Sequence, residues 1–150
     1  MKNKRYAIRP IREADLGDLY RLLSDPLVMK YLEVPYSMKQ SKRFLQEAGL
    51  SDPPLIYAAE CDGRFAGYVI YHDFDETAME IGWVLFPEHW NKGAASVLTE
   101  QLIEKALNEG KDVVIECDTN QKVTEHIAEK FGFRYIKETD DLKLFRLSCE

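Results

Sequence analysis

Apolar and polar residues alternate along this chain with two periods, one typical of strands and one typical of helices. The two-residue period predicts strands at positions 6–10, 55–61, 65–71, 77–85, 113–117, 133–138 and 142–147. The helical period predicts helices at 14–23, 38–48 and 94–109, one short helix within 120–132, and a helical turn through 26–32. The predicted order of elements is therefore β-α-α-β-β-β-α-β-α-β-β.

Cap and turn residues separate these segments. Ser37 and Gln40 form a capping box, in which the Ser hydroxyl accepts from the third helical N–H and the Gln side chain bonds back. Asp62-Gly63 is typical of a tight hairpin, and Asp140-Asp141 is expected to close another hairpin near the end of the chain. Polar residues at 73–76 predict a turn between the third and fourth strands.

Positions 77–117 contain a strand, a helix and a strand in succession. The run Val113-Val114-Ile115 is continuously apolar, as expected of a strand that is covered on both faces. Two strands joined through a helix usually run parallel in one sheet, with a right-handed crossover. We therefore expect the strands at 77–85 and 113–117 to be parallel.

Composition restricts the class of protein. The 150 residues predict one domain spanning 1–150, since no linker, repeat or low-complexity stretch divides them. No apolar run is long enough to span a bilayer, and no signal-peptide segment is evident, which predicts a cytoplasmic protein without membrane contact. The net charge of −6 argues against nucleic acid as a partner. Cysteine and histidine residues are too dispersed to predict disulfides or a metal site.

The turn at positions 87–95 carries the strongest indication of function. It connects a strand to a long helix, whose first N–H groups lack partners within the helix and lie at the positive end of its dipole. Gly93, Ala94 and Ala95 allow a pyrophosphate to approach this backbone closely, and Lys92 adds a full positive charge. The sequence thus predicts a phosphate-binding helix start.

Another motif lies at positions 120–133, where a polar start, a short helix and Gly132 precede a strand. Together the two motifs resemble the GCN5-related N-acetyltransferase (GNAT) superfamily. The segment 120–133 is similar to the family's Asn-x-x-Ser helix that ends in Glu-Lys-x-Gly-Phe. The family's acetyl-CoA pyrophosphate loop is similar to Trp90-Asn91-Lys92-Gly93-Ala94-Ala95. A Trp in place of the loop's usual Gln or Arg is common in the branch that acetylates the N-termini of ribosomal proteins.

The resemblance implies an α/β protein with a twisted mixed sheet of six or seven strands and helices on both faces. It also implies that acetyl-CoA binds at 90–95, with its pantetheine arm in a cleft between the strands at 77–85 and 113–117. In the family, backbone N–H groups near the positions of Val84 and Leu85 contact the acetyl carbonyl.

Glu80 is the candidate general base. It is the one charged residue inside the strand at 77–85, and it shares a face with Ala78, Gly82 and Val84. Because Gly82 has no side chain, we expect space beside the carboxylate in which an ammonium fits. Two interpretations stay open: Glu80 takes a proton from the acceptor, as similar carboxylates do in many GNAT enzymes, or it faces solvent or pairs with a lysine.

Thr124 is the candidate for contact with the CoA sulfur. The ribosomal branch has a Ser at this point, placed to contact the sulfur or donate a proton, and Thr124 keeps a hydroxyl. The alternative is a plain N-terminal helix cap. Ala128 stands where many GNAT enzymes have a Tyr acid, so that form of the mechanism is not expected. Asn120 fits the family's cofactor-binding Asn by residue type, and Gln121 fits it by spacing.

The resemblance implies direct transfer of acetyl to a primary amine, either a protein N-terminus or a small amine such as a polyamine or aminoglycoside. At pH 7 roughly a tenth of α-amino groups are neutral, whereas well under 0.1% of lysine side chains are. A site without the Tyr acid therefore suits an α-amino acceptor better than a lysine side chain. The family places its acceptor-recognition loop at 31–36, where Glu33 is available to a cation. The alternative function is a non-catalytic acyl-CoA-binding or regulatory module. A homodimer is compatible with either function.

Overall fold

The computed structural model describes residues 5–149. The strands in this range are β1 (Tyr6–Arg9), β2 (Ile56–Cys61), β3 (Arg64–Asp75), β4 (Ala78–Leu85), β5 (Asp112–Asp118), β6 (Arg134–Thr139) and β7 (Leu142–Leu147). The α-helices are α1 (Leu16–Leu23), α2 (Met38–Phe44), α3 (Ala94–Asn108) and α4 (Lys122–Lys130), and α2 continues into a π-helical turn (Leu45–Gly49). Short 3-10 turns cover Glu13–Asp15 and Pro87–His89. No helix among these residues is long and apolar enough to cross a membrane.

The strands form one sheet in the order β1-β2-β3-β4-β5-β7-β6. Neighbouring strands are antiparallel except β4 and β5, which are parallel and connected through α3. This arrangement confirms the predicted α/β class, the mixed sheet of six or seven strands and the parallel strand–helix–strand unit.

Two hydrophobic cores lie on opposite faces of the sheet. Leu98 and Leu102 of α3 belong to one core, with Val113 of β5. Leu19 and Leu22 of α1 belong to the other. Each fully buried leucine side chain contributes roughly 1.5–3 kcal/mol to folding. Helices therefore cover both faces, as predicted.

The local signals in the sequence correspond to real caps and turns. Ser37 Oγ accepts from the Gln40 N–H at 3.2 Å, and Gln40 Oε1 accepts from the Ser37 N–H at 2.8 Å. Asp62 and Gly63 both have positive φ, 51° and 82°, which is the backbone that a two-residue hairpin turn requires. The predicted capping box and first hairpin are confirmed.

One predicted turn was misplaced, and another was correct. The turn expected at 73–76 starts later, because β3 stays paired with β4 as far as Asp75 opposite Ala78, through an irregularity after Asp73. The helical turn expected at 26–32 is confirmed, because the Met29 N–H donates to the Asp25 carbonyl at 3.0 Å within a run of turn residues.

Candidate active site

Strands β4 and β5 pair over a short distance and then separate. Their register covers Ala78 to Glu80 of β4, which lie opposite Asp112 to Val114 of β5. On its other side β4 stays paired with β3 as far as Leu85. The second half of β4 therefore has an edge that faces a cleft, and backbone groups on such an edge can bond an extended ligand. The predicted separation of the two strands is confirmed.

A cavity of about 650 Å³ lies along this cleft, bounded by the end of β4, the turn that follows it, and the first turns of α3 and α4. Thr124 lines it, whereas Lys92 is exposed and lies outside the lining. The other residues that the sequence predicts for cofactor binding all line it: Val84, Leu85, Trp90, Asn91, Gly93, Ala94, Ala95, Asn120 and Gln121. The structure thus brings both motifs to one place, and ligand binding by these residues stays a prediction.

The start of α3 exposes backbone N–H groups to the cavity. Gly93 precedes the helix with φ of 81°, and the first helical bond runs from the Val97 N–H to the Gly93 carbonyl. The amides of Ala94, Ala95 and Ser96 therefore have no partner within α3. The helix start has no side-chain cap and no acidic residue in its first turn. A Cβ at Gly93 would meet no atom within 4 Å, so this side of the turn is open to a ligand.

The cavity is electropositive although the chain as a whole is acidic. No Asp or Glu of residues 5–149 lines it, whereas Lys30, Lys122 and Lys130 do, together with His89 and His126. Such a lining fits a polyanion with a long uncharged arm, which is the chemistry of CoA. Lys122 and Lys130 are the first and last residues of α4, and Lys30 comes from the turn after α1, so their convergence on one cavity could not be predicted from the sequence.

Trp90 and His89 fix the turn between β4 and α3. The Trp90 indole N–H donates to the Leu85 carbonyl at 2.9 Å, so it bonds the last residue of β4. His89 is buried, and its Nδ1 lies 3.2 Å from the Tyr6 hydroxyl of β1. The turn is therefore tied to β4 and to β1, which holds the free N–H groups of α3 in place. A Trp in the loop thus has a structural role that the sequence did not reveal.

Thr124 is not a helix cap. The N-cap of α4 is Gln121, and Thr124 is the third helical residue. Gln121 Oε1 accepts from the Asp118 N–H at 2.7 Å, and Asp118 Oδ1 accepts from the Asn120 N–H at 2.8 Å. The capping interpretation of Thr124 was therefore wrong. Thr124 lies on the cavity side of α4.

Glu80 lies where β4 and β5 stop pairing. It stands opposite His72 of β3 and Val114 of β5, and its side chain is partly buried. Burial, reinforced by the nearby Glu116, raises the pKa of Glu80, while His72 acts in the opposite direction. A carboxylate with a raised pKa suits proton transfer. Glu80 does not line the 650 Å³ cavity, so its contact with a substrate stays a prediction.

The space expected beside Glu80 is filled. A Cβ added at Gly82 would lie 3.1 Å from Ile70 Cδ1, because Ile70 is the residue opposite Gly82 in the β3–β4 register. The expectation of an empty site for an ammonium at Gly82 was therefore wrong. An acceptor has to approach Glu80 from another direction.

A smaller cavity of about 480 Å³ adjoins the first, and Lys30 and Tyr31 line both. Its lining combines apolar side chains with Lys30, Glu33 and Asp118, so two carboxylates distinguish it in charge from the first cavity. It lies at the segment 31–36 that the family resemblance assigns to acceptor recognition. Glu33 is held by a hydrogen bond from the Tyr36 hydroxyl.

Comparisons with known proteins agree with this geometry. The sequence matches the acetyltransferase (GNAT) domain over residues 5–134. It is 29% identical over 137 residues to "Uncharacterized N-acetyltransferase YnaD" of Bacillus subtilis (strain 168), a match that covers 87% of this chain and 80% of that protein. The structure resembles a GNAT-family acetyltransferase from Bacillus anthracis with a TM-score of 0.87 and 21% identity, over 99% of this chain and 97% of the other.

Two ligand-bound structures are also similar. Spermidine N-acetyltransferase from Vibrio cholerae, solved with CoA and spermine, has a TM-score of 0.78 and 17% identity, with coverage of 95% and 93%. RimL, a ribosomal L7/L12 alpha-N-protein acetyltransferase solved with CoA, has a TM-score of 0.82 and 16% identity, with coverage of 96% and 94%. These identities establish a common fold. The domain match extends over most of the sequence, and the chain therefore belongs to the GNAT acetyltransferase family.

Proposed function

We propose that this protein transfers an acetyl group from acetyl-CoA to a primary amine. The observation that carries the proposal is the cavity that joins the open edge of β4 to the free N–H groups of α3, with a lining of lysines and no carboxylate among the described residues. When bound, acetyl-CoA supplies a thioester whose carbonyl carbon accepts the amine.

The residues of the cleft divide the binding of acetyl-CoA among them. The amides of Ala94, Ala95 and Ser96 hold the pyrophosphate, since helix N-termini favour anions. The edge of β4 beside the cleft bonds the amide groups of the pantetheine arm. The backbone N–H of Leu85, on the cleft edge of β4, polarises the thioester carbonyl, whereas the N–H of Val84 points toward β3. The hydrogen bond from Trp90 to the Leu85 carbonyl keeps this backbone in position.

Direct attack of the amine is favoured over an acyl-enzyme. Cys61 and Cys117 are buried, and neither they nor Cys149 line the cavity. Burial, with a contribution from Glu125, raises the pKa of Cys117 to about 11, so its thiol stays protonated near neutral pH. In the proposed reaction the amine nitrogen bonds the carbonyl carbon as the C–S bond breaks.

Glu80 and Thr124 handle the protons of this reaction. The acceptor proton passes to the Glu80 carboxylate through a bridging water, because Glu80 is set back from the cavity lining. The Thr124 hydroxyl donates a hydrogen bond to the leaving sulfur, since Thr124 lines the cavity. A carboxylate whose pKa is raised by burial is a stronger base than an exposed one, which supports this role for Glu80.

The acceptor enters through the 480 Å³ cavity, which shares Lys30 and Tyr31 with the cofactor cavity. The apolar lining accommodates carbon chains, and Glu33 and Asp118 favour a positively charged group. Both a small amine and a protein N-terminus meet these conditions, and similar structures carry the names of enzymes for each class.

The test combines binding with product formation. Calorimetry measures the binding of CoA, and radiolabelled acetyl-CoA is incubated with peptides that have free N-termini, with N-terminally blocked lysine peptides and with polyamines. We expect CoA to bind and one amine class to become labelled. Binding without a labelled product in any class would instead indicate a non-catalytic acyl-CoA-binding module. Absence of CoA binding would refute both functions.

A further inference from the structure

A lysine side chain and a helix N-terminus face the same part of the cavity. Lys130, in the last turn of α4, has its Nζ 3.3 Å from Ser96 Oγ. Ser96 is the third residue of α3, and both residues line the cavity. The N-terminus of α3 carries partial positive charge. The Lys130 ammonium is electrostatically unfavourable toward the start of α3, whereas its position in the last turn of α4 is favourable.

The partners of the Lys130 ammonium include the Ser96 hydroxyl and the ring of Phe131, whose centre lies 5.6 Å from Nζ. The first turn of α3 contains no acidic residue, and no carboxylate of residues 5–149 lines the cavity. Lys130 takes part in none of the ion pairs that these residues form. By contrast, Lys122 at the other end of α4 lies 3.7 Å from Glu125. An anion between Lys130 and α3 would relieve the repulsion.

We propose that Lys130 binds a phosphate group of CoA and holds it against the first turn of α3. The proposal rests on the CoA binding proposed above, and it makes α4 the other wall of the phosphate site. A lysine suits this role because its ammonium is a compact charge on a flexible stem. The Ser96 hydroxyl adds a donor beside it. The pyrophosphate and the 3′-phosphate of CoA both offer this chemistry.

The test compares ligands that differ in their phosphates. Calorimetry measures the affinity of wild type, Lys130→Ala and Lys130→Arg for CoA, 3′-dephospho-CoA and pantetheine. Lys137→Ala is the matched control, since Lys137 is an exposed residue of β6 outside both cavities. Because Lys130→Ala loses a charge-assisted hydrogen bond, its affinity for CoA should be about tenfold lower than that of wild type. Lys130→Arg should restore most of it, and Lys137→Ala should stay within about twofold of wild type.

Each outcome decides the proposal. A loss with CoA and 3′-dephospho-CoA supports contact with the pyrophosphate, and a loss with CoA alone supports contact with the 3′-phosphate. An equal loss with pantetheine, or no loss with CoA, overturns the assignment of Lys130. The melting temperature without ligand should change little in Lys130→Ala, because removing the charge from the start of α3 offsets the loss of its favourable interactions with the end of α4 and with Phe131. A clear fall would mean that Lys130 only ties α4 to Ser96. Failure of wild type to bind CoA would refute the proposed function itself.

Discussion

Replacing Gly93 with aspartate adds a carboxylate beside the free N–H groups of α3. Gly93 has φ of 81°, and an added Cβ would meet no atom within 4 Å, so the side chain is accommodated without a clash. The left-handed backbone costs an ordinary L-residue about 1–2 kcal/mol, but Asp and Asn tolerate it better. A carboxylate near a helix N-terminus recovers about 0.3–1 kcal/mol. We therefore expect the free energy of unfolding of Gly93→Asp to stay within about 1 kcal/mol of wild type.

The effect of Gly93→Asp on ligand affinity should be larger. For a separation of about 6 Å between this carboxylate and a phosphate at the Ala94 and Ala95 amides, Coulomb's law sets the size of the loss. At an effective dielectric constant of about 40–80, two unit charges at that distance repel by about 0.7–1.4 kcal/mol. Because a pyrophosphate carries two charges, the loss should reach about 1.5–3 kcal/mol, which raises the Kd for CoA roughly 10- to 150-fold.

Gly93→Asn is the matched control, because asparagine has the shape of aspartate and tolerates the same backbone but is neutral. Binding can be followed by calorimetry or by fluorescence, since both tryptophans of the chain, Trp83 and Trp90, line the cavity. We expect Gly93→Asn to keep affinity within a few-fold of wild type. An equal loss in the two variants would attribute the effect to backbone strain. Unchanged affinity in a folded Gly93→Asp variant would refute the phosphate assignment.

Two further variants test the proton transfers. Thr124→Val should lower turnover while the melting temperature stays close to wild type, since the N-cap position of α4 is held by Gln121 and not by Thr124. Thr124→Ser should restore turnover, and a lower melting temperature with intact turnover would contradict this role. Glu80→Gln should reduce turnover about 100-fold near pH 7, with the loss shrinking at higher pH, and a loss that is uniform across pH would mean that Glu80 positions the acceptor. Burial and Glu116 raise the pKa of Glu80 above 4.5, so the folded state holds this proton more tightly than the unfolded chain. The folded state therefore loses stability as pH rises. Glu80→Gln should melt at a higher temperature than wild type at pH 7, and this difference should disappear below pH 4.5.

Features that depend on neighbouring residues in the chain could be predicted from the sequence. The capping box at Ser37 and the hairpin at Asp62-Gly63 were correct because each is decided within four residues. The pairing of β4 with β5 followed from the helix between them. Features that depend on distant residues were missed. Lys130 meets Ser96 from 34 positions away, and Ile70 fills the space at Gly82 because of the register between two strands.

In the proposed reaction, the two cavities present opposite charges to the two substrates. The chain has a net charge of −6, but three lysines and no carboxylate of residues 5–149 line the larger cavity. This local positive charge lowers the free energy of a bound polyanion. The adjoining cavity has Glu33 and Asp118, which attract an ammonium. Lys30 lines both, and its charge at the junction disfavours a protonated amine at that point. An amine that passes from the acidic cavity toward the thioester thus meets a field that favours loss of its proton, and the neutral amine is the form that attacks.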